Sequence, residues 1–370
     1  MGGLLAGFFL AYYTSTLFKM RWALAAYPGV LSLRGVVNGI FCGRLSTGLH
    51  LGTIKAGFRD NTEEFYVLEA ALFTLNMICA ISTSAIFTVF GMSLWGVKQE
   101  EVFPMWVGLI SSMAFSFILI NPATFAFAAF SYRKGYDPDY LAYPVMSTVG
   151  DIIVTLCYIF VVTFINFGGL YLMALITFIL LSSAGLLIIK YMRRNEYLAI
   201  LKETVVTLAI VVSIAGFTGT ALTEISRIIG QYPVIYMIYP AVLDTVGDVG
   251  SIIGSTLTTK LALGDASADI KVFLEHLPEV IGSWLASIVM FIAYSLFAAV
   301  CFGYQISDLI VFFILILKAN LVAVGSISFI AVSVTVAAYR YGLDPDNFVN
   351  PIVSTIADAL TSFSILVSLL

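Results

Sequence analysis

The chain is a near-continuous series of apolar stretches, each about as long as a bilayer's hydrocarbon core requires. About 20 predominantly apolar residues in a helix cross that core. Such stretches lie at 2–18, 24–50, 64–91, 103–131, 140–166, 169–190, 203–229, 234–261, 278–303, 306–339 and 347–369. Lipid offers no partner for backbone N–H and C=O groups, so each stretch must satisfy its own hydrogen bonds as a helix. The pattern predicts an all-α polytopic membrane protein with about 11 transmembrane helices. Lys318 and Asn320 leave open whether 306–339 is one long helix or a broken one.

Composition excludes several classes of function. Of 370 residues, 60% are hydrophobic and 11% charged, and the mean hydropathy is +1.01, whereas a soluble domain carries about 25% charged residues. Water could not solvate such a chain, which excludes a soluble enzyme. A net charge of −4 gives no sign of a nucleic-acid partner. Two histidines and four scattered cysteines (Cys42, Cys79, Cys157, Cys301) form no CxxC or HxxxH pair, so neither zinc nor haem is expected. No organic cofactor is expected either, and the cysteines read as small apolar residues inside spans. The start, Met1-Gly-Gly-Leu-Leu, has no basic segment and no cleavage site and reads as a true span rather than a signal peptide. No loop is long enough for a soluble domain, which places the function inside the membrane.

The loops give an orientation. With eleven spans, Lys55, Arg59, Arg133, Lys134, Lys190, Arg193, Arg194, Lys202, Lys260, Lys271 and Arg340 fall on the side of the N-terminus, against Lys19, Arg21, Lys98 and Arg227 opposite. Basic loops stay cytoplasmic. The expectation is a multi-pass protein of the plasma membrane with its N-terminus cytoplasmic and its C-terminus outside.

An internal repeat organises the chain. Residues 133–155 (RKGYDPDYLAYPVMSTVGDIIVT) align without a gap on 340–362 (RYGLDPDNFVNPIVSTIADALTS), with nine of 23 positions identical. Upstream, Tyr27, Pro28, Gly35, Leu45, Thr47, Leu49, Leu51 and Gly52 match Tyr239, Pro240, Gly247, Leu257, Thr259, Leu261, Leu263 and Gly264 at a shift of 212. We therefore divide the chain into a first transmembrane repeat, 1–167, a linker helix, 168–195, and a second repeat, 196–370. Five spans plus one make an even number, so both repeats enter the bilayer the same way, as parallel repeats related by an axis along the membrane normal. A single-chain pseudo-dimer is expected, with lipid and cations as partners.

The matched residues carry local chemistry. Asp137-Pro138 and Asp344-Pro345 read as a cap and first turn of the fifth span of each repeat, or alternatively as a cytoplasmic vestibule for cations. Gly35, Gly39 and Gly43 recur every fourth residue, as do Gly247, Ser251 and Ser255, spacing that packs helices closely in lipid or bares backbone to a pore. Asp151 and Asp358 differ from these. Each lies eleven residues into its expected span, about 16 Å deep at the helical rise, and an ionisable residue there is a functional-site hypothesis. No base repeats with them: Lys318 aligns only with Ser111, so an ion pair shared by both halves is not expected. Asp244 and Asp248 add acids to the second half alone, where the first half has Ser32 and Val36. The donors at depth are oxygens: these carboxylates, Asn38, and the hydroxyls of Ser147, Thr148, Ser354 and Thr355. Hard oxygen donors suit magnesium, calcium or manganese, and magnesium, which keeps its waters and meets one or two carboxylates, fits two aspartates best.

The segment Pro28-Gly-Val-Leu-Ser-Leu-Arg-Gly-Val-Val-Asn38, followed by Gly43-Arg-Leu-Ser-Thr47, resembles the second span of MgtE-type magnesium transporters. The Gly-x-Asp-Pro-x…Pro…Ser-Thr…Asp pattern at 135–151 and 342–358 resembles their fifth span. The two-copy layout is similar to the eukaryotic magnesium solute carriers of that superfamily. The resemblance implies a magnesium pathway between the halves, with Asp151 and Asp358 at the ion site and magnesium as the transported ion. A sodium- or proton-coupled exchanger using the same acids is the alternative, and the unequal acids of the eighth span suit it. An intramembrane aspartyl protease is disfavoured, because its Gly-x-Gly-Asp signature is matched no better than by Ala262-Leu-Gly-Asp265 at a span end.

Overall fold

A computed structural model describes residues 2–136, 138–230, 233–263, 265–266, 269, 272–303, 306–341 and 345–370. Among them every regular element is helical. The principal helices are α1 (Gly2–Tyr12), α2 (Arg21–Leu51), α3 (Glu63–Phe90), α4 (Gln99–Arg133), α5 (Pro138–Phe164) and α6 (Leu170–Tyr191). They continue with α7 (Asn195–Ile229), α8 (Pro233–Leu263), α9 (Leu277–Phe302), α10 (Ile306–Arg340) and α11 (Pro345–Leu369). Eight stretches of the described residues are long and apolar enough to cross a membrane, and the protein is a polytopic all-α membrane protein. One of the eight, Val145–Tyr191, contains both α5 and α6. The chain breaks between them at Gly168, whose φ of 92° is a conformation only glycine adopts without strain.

The helix ends follow the sequence. Thr62 caps α3, its Oγ1 accepting from the Phe65 N–H at 3.4 Å, with Glu63 and Glu64 beside the positive end of the helix dipole. The N–H of Lys98 donates to Glu101 Oε2 at 2.9 Å at the start of α4. Gly52 (φ 72°) ends α2 and Gly303 (φ 67°) ends α9. The first apolar stretch is shorter as a helix than its sequence suggests: α1 has 11 residues, and a separate turn, Thr14–Leu17, follows. At 1.5 Å per residue α1 covers about half of the hydrocarbon core. The stretch from 306 is one unbroken helix, α10. Asn320 does not interrupt it because its amide bonds sideways: Trp284 Nε1 donates to Asn320 Oδ1 at 2.9 Å, and Asn320 Nδ2 donates to Ser287 Oγ at 3.0 Å.

Packing gathers the chain into two compact units, Ser15–Val212 and Gly3–Thr14 with Ser213–Leu370. In the first, α2 is the enclosed helix, burying Trp22, Tyr27, Phe41 and Leu49 among its neighbours. Polar links join the rest: Asn76 Nδ2 donates to the Met113 carbonyl at 3.1 Å, tying α3 to α4, and Tyr197 of α7 donates to Thr74 Oγ1 at 2.8 Å. In the second unit α8 plays the same part, with Tyr236, Tyr239, Val242 and Ile253 fully buried. Gly250 lets α8 close on two helices at once, since a Cβ there would stand 2.5 Å from Val353 of α11 and 2.9 Å from Ile327 of α10. The helix α1 lies on α8 in this unit, with Gly7 against the backbone of Met237.

Candidate cation site

Asp151 and Asp358 both sit on the fifth helix of their repeat, 13 residues after its first proline (138 to 151 and 345 to 358), or about 20 Å along the axis. One turn beyond each aspartate stands a hydroxyl, and each hydroxyl is held by a tyrosine from the second helix of the same repeat. Thr155 Oγ1 donates to the Asp151 carbonyl at 2.6 Å and meets Tyr27 Oη at 2.8 Å. Ser362 Oγ donates to the Asp358 carbonyl at 2.8 Å and meets Tyr239 Oη at 2.7 Å. The tyrosines are those aligned at the shift of 212, so the same clamp sets the phase of α5 on α2 and of α11 on α8. Polar bonds between helices in lipid are each worth about 0.6 kcal/mol, with an upper value near 1.7 kcal/mol.

The surroundings of the two aspartates differ. Asp151 is buried, 2% exposed, and its Oδ1 is paired with Nη2 of Arg34 from α2. The same guanidinium donates through Nη1 to the Ser147 carbonyl at 3.1 Å. Gly150 makes room for it: a Cβ there would overlap the guanidinium. Asp151 Oδ2 is buried with no hydrogen-bond partner. No base is expected to repeat with both acids; Arg34, present in the first repeat alone, is paired with Asp151. The missed signal was a coupled difference between the repeats: where the first has Arg34 and Gly150, the second has Val246 and Ala357. A large base facing a glycine in one copy, and two small apolar residues in the other, is the signature of a side chain reaching across.

The other candidate residues divide similarly. Asn38, one turn along α2 from Arg34, is buried, accepts from Thr124 Oγ1 at 3.1 Å through Oδ1, and leaves Nδ2 without a partner. A water-sized cavity of about 10 Å³ is lined by Arg34, Asn38, Asn76, Ser116 and Asn121. Asn121 Nδ2 in turn donates to Glu69 Oε2 at 2.6 Å, which brings Glu69 of α3 to the same polar interior of this unit. Ser147 contributes its carbonyl to Arg34, and Thr148 is exposed. In the second unit Asp358 and Ser354 are half-buried, Thr355 is buried, and Asp244 and Asp248 are exposed on α8. A Cβ on Gly247 would stand 3.9 Å from that of Ser354, so this glycine packs α8 on α11. A Cβ on Gly35 meets nothing within 4 Å, and Gly39 is half-buried. Asp137 and Asp344 lie outside the described residues. Among the described residues no group of three or more His, Cys, Asp or Glu could hold a metal. Oxygen donors can take a hydrated hard cation through its waters without a closed cage.

Comparison with curated proteins and with solved structures finds no match. The profile of the MgtE family, described as a divalent cation transporter, matches residues 27–161 and 239–368. The two matched stretches start at the aligned tyrosines and include Asp151 and Asp358, and together they cover most of the chain. The protein belongs to the MgtE family of divalent cation transporters.

Proposed function

We propose that this transporter carries magnesium, and that Asp151 and Asp358, one from each repeat, are the carboxylates of the ion path. The observation that carries the reading is their duplication. In both repeats the aspartate occupies the same position of the same motif, deep in an apolar helix, with its backbone carbonyl bonded to the hydroxyl one turn beyond. Carboxylates at that depth are costly, and duplicated ones without a function in the pathway would be expected to drift to apolar residues. Magnesium holds its waters at about 2.0–2.1 Å and sheds them reluctantly, so the carboxylates meet the hydrated ion. Asp248, Asn38, Ser147, Thr148, Ser354 and Thr355 supply further oxygens, Gly35 and Gly39 bare the backbone, and Asp244 lines an approach. The protein works as a single-chain pseudo-dimer of the plasma membrane, with a cytoplasmic N-terminus and an external C-terminus. The inequality of the halves favours a second version of this reading, a sodium- or proton-coupled exchanger: Asp244 and Asp248 have no counterparts in the first repeat, and Arg34 has none in the second.

Magnesium flux into liposomes holding the full chain tests both. Asp151→Asn and Asp358→Asn are expected to lower flux at least about tenfold, a loss of about 1.4 kcal/mol or more in ion interaction, with Asp244→Asn less affected. Normal flux in a folded Asp358→Asn protein would overturn the assignment. Stimulation of flux by an imposed sodium or proton gradient would select the exchanger.

A further inference from the structure

We propose that Arg34 is a tethered cation that competes with the transported ion for Asp151 and thereby sets the affinity of the site. The inference rests on the reading of Asp151 as a carboxylate of the ion path. Three observations carry it. The guanidinium is bonded to Oδ1 of the aspartate and to the Ser147 carbonyl, so a positive charge already holds one of the two carboxylate oxygens. The second oxygen, Oδ2, is buried without a partner, so the pair is half-satisfied and leaves the carboxylate able to take another positive group. The room for the guanidinium is built in by Gly150, whereas the second repeat has Val246 and Ala357 at the matching places.

A lone carboxylate buried in lipid is expensive, and Arg34 neutralises it while no ion is present. A divalent ion arriving at Oδ2 meets the field of a fixed positive charge a few ångströms away. Within a medium of low polarity that repulsion is strong, so the ion is held less tightly than by a bare aspartate. Conduction requires this balance, since an ion must be bound well enough to enter and loosely enough to leave. Arg34 therefore sets how tightly the first repeat holds the ion.

The test uses the full chain in lipid nanodiscs and liposomes, with MgCl2 as the probe. Binding is followed by calorimetry, and the half-saturating magnesium concentration of flux is measured alongside. Arg34→Gln, and the pair Arg34→Val with Gly150→Ala that installs the second repeat's residues, should each lower half-saturation at least about tenfold, the lower bound for a unit charge a few ångströms from a divalent ion even at the polarity of water. Arg34→Lys, which keeps the charge but loses the guanidinium's fork, should stay closer to the parent protein than either neutral variant. Adding Asp151→Asn to Arg34→Gln should erase the gain. Unchanged half-saturation in the neutral variants, or a gain that survives Asp151→Asn, would overturn the proposal. So would failure of both neutral variants to fold while Arg34→Lys folds, which would make the guanidinium a structural counter-ion. Normal flux in Asp358→Asn together with Asp151→Asn would instead remove the ion-path reading beneath it.

Discussion

The clamp between Tyr239 and Ser362 makes an unequal prediction for its two ends. Both side chains are fully buried, and their oxygens lie 2.7 Å apart. The Ser362 hydroxyl already spends its hydrogen on the Asp358 carbonyl at 2.8 Å. Tyr239 must then donate and Ser362 accept. Removing the tyrosine hydroxyl (Tyr239→Phe) takes one accepted bond from a serine that still donates, at a cost of about 1 kcal/mol. Removing the serine hydroxyl (Ser362→Ala) buries a phenolic O–H with no acceptor, at a cost of about 1–3 kcal/mol. The Asp358 carbonyl keeps its backbone partner in α11 in either case. Adding Tyr239→Phe to Ser362→Ala removes the orphaned donor, so the double variant should be more stable than Ser362→Ala alone. For the double variant to be the more stable, the coupling must exceed the Tyr239→Phe cost, so the cycle should show more than about 1 kcal/mol, within the upper value of about 1.7 kcal/mol. Denaturant titration of the three variants in detergent micelles, followed by tryptophan fluorescence, measures it. A Tyr239→Phe cost equal to that of Ser362→Ala, or a double variant no better than the sum of the singles, would refute the donor assignment and with it the clamp as described.

Glycine substitutions should separate packing from open backbone. Gly250→Ala forces a methyl against Val353 and Ile327 and should cost about 1–3 kcal/mol, whereas Gly35→Ala meets no atom within 4 Å and should be neutral or stabilising by up to about 1 kcal/mol; thermal unfolding compares them. His276, before α9, has its titration lowered from 6.5 by burial first and by the charge of Lys260 second, against an opposing pull from Glu279, and its Nε2 lies 3.0 Å from Thr256 Oγ1. The folded chain therefore resists a proton that the unfolded chain accepts, so stability present above pH 6.5 should be lost as pH falls from there towards the lower folded value. His276→Gln should flatten that profile in melting curves taken from pH 7.5 to about 5, and an unflattened profile would mean another group is responsible.

Much of this protein is legible along the chain. Helix positions follow from hydropathy because lipid forces each apolar stretch to close its own hydrogen bonds, and that requirement is local. Repetition at a shift of 207 or 212 brings out Asp151, Asp358 and the two tyrosines, because a duplicated residue needs no structure to be seen. Other features depend on which faces of distant helices meet. Arg34 and Asp151 are 117 positions apart, and their pairing is decided by the rotation of α2 against α5, which hydropathy with so little amphipathic contrast does not specify. The same holds for Gly35 and Gly247, aligned in sequence yet one opening on empty space and the other on Ser354. It holds too for α1, whose packing on α8 depends on Gly7 finding the Met237 backbone across more than half the chain. In lipid a helix gains nothing from merely turning an apolar side inward, so its neighbours and its phase are chosen by close packing and by a few buried polar bonds, and those exist only once the helices have come together.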